Sequence, residues 1–177
     1  RGVAVLKGGP RPKPHEAQLV VMFHGSSAQE PLAAASRFIK LVAAVAEASS
    51  AVGVYWGQAG VTHEASYFCS TALRDDDAER VSRLIGVDRS SEADGRTTLR
   101  STGLELLGLP EFLLVSNPKT ESDPTSFYLN VLTYLADRGE GIADGETVGR
   151  TAEEKLVVRR VPSPTDPRRE IMRVEIP

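Results

Sequence analysis

The stretch "GVYWGQAGVTH", residues 53–63, gathers the single tryptophan of the chain, three glycines and one of its three histidines. His63 could serve as a general base and Trp56 as the wall of a pocket, with Gly57 and Gly60 letting the backbone pass close to a ligand. Tyr55 and Trp56 are neighbours on a strand and point to opposite faces, so at most one of them enters the core beneath. Buried aromatics usually serve packing, which makes a structural corner the cheaper reading of this segment. His63 stands beside Glu64, where a helix is expected to begin. The positive end of that helix disfavours imidazolium, and a neutral side chain bonding the loop backbone explains the position more economically than a catalytic base.

Other chemistry is thinly supported. "HGSS", residues 24–27, follows an apolar run and invites a hydrolase reading, but a nucleophile elbow needs glycines on both sides of the serine and only one is present. Capping of the next helix by the serines is simpler. No phosphate-cradling loop or dinucleotide fingerprint occurs, and "KGGP" lacks the strand and helix such loops require. His15, His24 and His63 have no pair at ligand spacing on one helix, so neither a metal nor a cofactor is expected, and no residue is assigned a catalytic role. The lone Cys69 can form no intramolecular disulfide or thiolate cluster; it suits a buried apolar position in a reducing, cytoplasmic setting. "DDD" at 75–77 and the arginines 159, 160, 168, 169 and 173 read as solvated faces.

The elements that would position these residues follow from periodicity. Residues 3–6 form a short β-like run and residues 17–23, "AQLVVMF", a central strand. A helix over 31–48 carries Leu32, Ala35, Ile39, Val42 and Ala46 on one side, with Ser27 and Glu30 spaced as a capping box. "AVGVYWG" then returns as a strand, expected to lie parallel to the first. A helix over 64–74 buries Ala65, Phe68, Cys69 and Leu73, and "DDDAER" leaves to solvent. Strands over 81–89 and 96–106 flank a turn at Asp94–Gly95, and 111–117 is a further apolar strand. A second long helix follows Asp123 and Pro124, turns Phe127, Val131, Leu132 and Leu135 inward and stops at Gly139. The runs 154–161 and 169–176 make a closing hairpin. This order specifies an α+β domain with a mixed, mostly antiparallel sheet and its two main helices packed on one face; the two helices leave a ferredoxin-like plan open.

At 177 residues with 41% hydrophobic content the chain suits one domain over 1–177. A formal charge of −3, from 21 basic and 24 acidic residues, supplies no electrostatic excess for nucleic acid or anionic membrane. No window approaches a membrane span. Arg1 at the start suggests the carboxy-terminal part of a longer chain.

Taken in order, "HEAQLVVMFHG", "GVYWGQAGVTH", "TTLRSTGLELLGLPE" and "DGETVGRTAEEKLVVRRVPSPTDPRREIMRVEI" resemble the domain of unknown function 4261 from about residue 3 onward. The marks are Tyr55, Trp56, Gly57 and His63, then Thr102, Gly103 and Leu104, then Asp144, Gly145, Glu146 and Thr147. The resemblance implies an additional amino-terminal segment, and a tryptophan-bearing strand where this chain has "VSRLIGVDR"; it implies no activity. The candidate binding residues are therefore Tyr55, Trp56, Gly57, His63, Thr102, Gly103, Asp144 and Thr147. The expected function is a non-enzymatic protein-interaction domain with a protein partner, of the toxin-neutralising immunity class. The alternative is a small-molecule binder or enzyme with Trp56, His63 and Thr102 around one pocket, and a third reading is a structural piece of a larger assembly.

Overall fold

The computed structural model describes residues 14–22, 30–117, 119 and 123–177. The run 3–6 and the "HGSS" segment, with Ser27 of the expected capping box, lie outside them. In chain order the elements are α1 (Pro31–Ala48), β1 (Gly53–Trp56), β2 (Val61–Glu64), α2 (Ala65–Ala72), α3 (Asp77–Ser82), β3 (Gly86–Ser91) and β4 (Thr97–Thr102). A 3-10 turn (Leu104–Leu107), β5 (Phe112–Ser116), α4 (Thr125–Arg138), β6 (Thr147–Val148), β7 (Leu156–Val157), β8 (Arg159–Pro162) and β9 (Glu170–Ile176) complete the chain.

Five strands form the main sheet in the order β3-β4-β5-β9-β8; β5 and β9 run parallel and every other pair is antiparallel. The α+β expectation with a mixed, mostly antiparallel sheet is met. Side chains alternate across the pleat, so Leu99, Leu114 and Val174 lie in register on one face and are fully buried. Arg100, Leu113, Arg173 and Arg159 form the matching row on the other face. The apolar face receives α1 and α4, bridged by α3, in one continuous core. Tyr128 of α4 stacks on Phe112 with ring centroids 5.2 Å apart and donates its hydroxyl to the Phe112 carbonyl at 2.8 Å. A buried phenol thus finds the partner its burial requires.

Both long helices form where their periodicity places them. Gly139, in the left-handed region at φ 68°, ends α4 as expected. At its start Asp123 Oδ1 accepts from the Thr125 amide at 3.2 Å, with Pro124 as the flanking residue. Glu30 is itself the residue flanking α1 and makes no side-chain capping bond to the helix, and its expected bond to Ser27 lies outside the described residues. The hairpin over β3 and β4 closes at Gly95 (φ 85°). The closing hairpin is β8–β9, while Leu156–Val157 of the first run pairs instead with β6.

Four expectations fail. Residues 17–22 form no strand, and Leu19, Val20 and Met22 are about 70% exposed, at 69, 77 and 73%; only Val21 packs on the core. The partner expected for that run, β1, instead pairs antiparallel with β2 in a separate two-stranded sheet. A four-residue loop closes that pairing at far lower entropic cost than a crossover through an 18-residue helix. Third, "DDDAER" does not leave to solvent: Asp76 Oδ1 accepts from the Glu79 amide at 2.6 Å and starts α3, so the following strand begins only at Gly86. Leu73, expected to point inward from α2, is 79% exposed at its end.

Arg80 ties these helices together. Its side chain is buried, and it donates from Nε to the Ala72 carbonyl at 3.0 Å and from Nη1 to Ser36 Oγ at 2.6 Å and to Asp77 Oδ1. One guanidinium thereby joins α1, the end of α2 and α3, and Asp77 is a structural partner rather than part of a solvated run.

Candidate functional site

Val54, Trp56, Val61 and His63 occupy one face of the β1–β2 hairpin, because Val54 pairs with His63 and Trp56 with Val61. All four are buried. Trp56 lies between Phe38 of α1 and Phe68 of α2, at centroid distances of 5.4 and 5.5 Å, and retains 4% of its exposure. Tyr55 and Thr62 face the other way, and Tyr55 is exposed. The aromatic pair is divided between core and solvent as adjacent strand positions demand.

His63 sits on β2, not in a loop, and is 2% exposed. Its ring stacks on Tyr67 at 5.6 Å and meets Phe68 at 6.0 Å. Neither Nδ1 nor Nε2 has a hydrogen-bond partner, which corrects the expected backbone bond. Burial pushes its pKa down to about 4, so the imidazole is neutral at physiological pH for lack of solvation rather than through a helix terminus. A group so enclosed cannot reach a substrate proton.

The glycine-flanked loop is approached by the main sheet. A Cβ placed on Gly86 would stand 2.8 Å from the Ala59 carbonyl oxygen, and one on Gly103 would stand 3.5 Å from Ala59 Cα and Cβ. Gly103 has φ 113°, a conformation that glycine adopts without strain. Gly60, at φ 65°, completes the turn, whereas Gly57 has only the Tyr55 ring within 4.0 Å. The small residues of the two segments marked by the resemblance therefore meet each other, hairpin tip against sheet end.

Thr102 is half-buried opposite Gly86 at the end of β4. It belongs to a different sheet from Trp56 and His63. Beside it, buried Ser101 donates to a Glu111 carboxylate oxygen and accepts from the Phe112 amide at 2.7 Å, while Glu111 Oε1 accepts from the Gly103 amide at 2.8 Å. This network fixes the left-handed turn. Asp144 accepts from the Arg160 amide at 2.8 Å and lies 3.6 Å from Arg159, while Gly145 (φ 84°) and Thr147 lead into β6. That turn braces the β8 edge.

Open space lies elsewhere. A groove of about 700 Å³ runs between α3 and α4, and a hollow of about 130 Å³ on the other side of the sheet involves Arg100, Thr165 and Arg169. The groove takes in none of the candidate binding residues, although Asp76 and Glu79 of the "DDDAER" run line it. Its signal was readable: α4 carries a second stripe, Ser126, Leu129, Asn130, Thr133, Tyr134 and Asp137, at the same spacing as its core stripe. Among the described residues no three His, Cys, Asp or Glu side chains are grouped to hold a metal ion, and no helix is long and apolar enough to cross a membrane.

Residues 100–175 match the family described as Domain of unknown function (DUF4261). The match takes in the Thr102–Gly103–Leu104 and Asp144–Thr147 elements and the sheet from β5 to β9, and stops short of the β1–β2 hairpin. No curated protein and no solved structure matches the chain.

Proposed function

We propose that the protein, whose residues 100–175 match the DUF4261 family, is a non-enzymatic, cytoplasmic protein-interaction domain, of the immunity type that neutralises a toxin by covering it. The observation that carries this reading is the contrast between two places. The aromatic corner that could have housed chemistry keeps 4% exposure at Trp56 and 2% at His63, whereas the groove between α3 and α4 is open along both helices. An elongated surface of mixed polar and apolar character suits a polypeptide better than an enclosed small ligand. A formal charge of −3 agrees with a basic partner. The reading in which Trp56, His63 and Thr102 enclose a substrate draws no support from two rings so covered and a half-buried threonine in a different sheet.

The test is purification of the tagged full chain from its natural host, followed by native mass spectrometry. A heterocomplex of fixed stoichiometry is expected, and co-expression with the bound protein should relieve that protein's toxicity. Recovery of this chain alone, or only as copies of itself, overturns the reading.

A further inference from the structure

The geometry points to the α3–α4 groove as the docking site for a lysine- or arginine-bearing helical segment of the partner, an inference that rests on the interaction reading above. Helix α4 divides its surface into two stripes. Phe127, Tyr128, Val131, Leu132, Leu135 and Ala136 enter the core, while the stripe from Ser126 to Asp137 lines the groove. Eleven residues of helical rise make that stripe about 17 Å long, the length of about three turns of a second helix.

The groove has a floor, walls and a charge. Leu129 packs partly on the core, and beside it Ser82 and Thr133 join their hydroxyls at 3.0 Å across the two helices, closing the bottom. Tyr134 stands 48% exposed on the wall and offers an aromatic face to an aliphatic stem or a guanidinium. Asp76, Glu79 and Asp137 contribute three carboxylates; Arg74, at 2.7 Å, shares Glu79 with Arg83, and Arg138 donates to the Tyr134 hydroxyl at 3.2 Å, so among the described residues the charge without a cationic partner is that of Asp76 and Asp137. Arg83 is already bound to Glu79 at 2.6 Å, and Asp76 turns one oxygen to the Glu79 amide. Asp137 is exposed at the far end, and among the described residues no cation pairs with it. The two carboxylates without a cationic partner, Asp76 and Asp137, beside a partly apolar trough complement an amphipathic helix that carries cations next to its apolar face.

The test is an amide-resolved NMR titration of the full chain with a synthetic helical peptide of leucine and lysine at amphipathic spacing, and with its glutamate counterpart. Shifts confined to α3 and α4, absent with the glutamate peptide, are expected. Asp137→Lys and Tyr134→Ala, both at exposed positions, should each weaken binding roughly fivefold with the spectrum otherwise preserved. Shifts centred elsewhere, an equal response to the glutamate peptide, or unchanged affinity of Asp137→Lys overturns the docking site. That failure is separable from failure of the interaction reading, which falls instead if no heterocomplex is recovered from the host.

Discussion

Ala59, at the tip of the β1–β2 hairpin, lies directly over Gly86 at the start of β3, so close that a Cβ on Gly86 would stand 2.8 Å from the Ala59 carbonyl oxygen and 3.3 Å from Val61 Cγ1. The glycine therefore marks where a separate two-stranded sheet seats on the main one. Gly86→Ala should destabilise the fold by about 1–3 kcal/mol, because the obstructing atom is backbone and cannot swing aside. Gly57→Ala, where no atom comes nearer than 4.0 Å and the φ is ordinary, should stay within about 0.5 kcal/mol. Urea midpoints of the two variants compare them; equal loss in both would show that the hairpin tip is not seated in this way.

His63 predicts a particular pH dependence. Its ordinary pKa of 6.5 falls to about 4 in the fold. Between those values the unfolded chain binds a proton that the folded chain does not, so stability is complete above pH 6.5 and declines as the pH drops toward 4. The full loss is on the order of 3 kcal/mol. His63→Leu, which removes two buried nitrogens without partners, should flatten the slope in this window without loss of stability at pH 7. A wild-type urea midpoint that does not change between pH 7 and 5 contradicts the enclosure of this ring.

The three consecutive aspartates should behave differently from one another. Partial burial raises the Asp77 pKa, but its bonds to Ser36 and Arg80 outweigh that and hold the carboxyl below the ordinary range. Asp77→Asn removes the countercharge of a guanidinium that is 1% exposed and should cost about 2 kcal/mol, a value reduced because Asp77 is itself partly solvated. Asp75→Asn, at an exposed position, should be silent. Thermal denaturation at pH 7 separates the two; equal midpoints would show that the Arg80 network carries no stability.

What the sequence made legible was what local rules govern. The stripes of α1 and α4, the Gly95 turn and the Gly139 stop each depend on residues within a few positions of one another, and each stands as expected. The apolar run at 17–23 forms no strand over its described residues because hydrophobicity alone does not say whether a partner strand exists, and a nearer one is available to β1. The hairpin itself was readable: Val54, Trp56, Val61 and His63 alternate on either side of a four-residue glycine loop, which places His63 on the face of Trp56. The role of Asp77 was not readable, since its importance comes from Arg80 and Ser36, the latter 41 residues away. The groove is only half legible for a related reason: the second stripe of α4 can be read locally, but the packing of α3 beside it depends on contacts such as Ser82 to Thr133, 51 residues apart.

The central claim is that the aromatic corner is sealed scaffold, and the single tryptophan reports on it without any label. Acrylamide quenching of Trp56 fluorescence in the native protein at pH 7 should be several-fold weaker than in the same protein in urea, with blue-shifted emission, because Phe38 and Phe68 flank the indole and leave it 4% exposed. Native quenching equal to that of the unfolded chain would place the indole in an open, solvent-reached site and contradict the account.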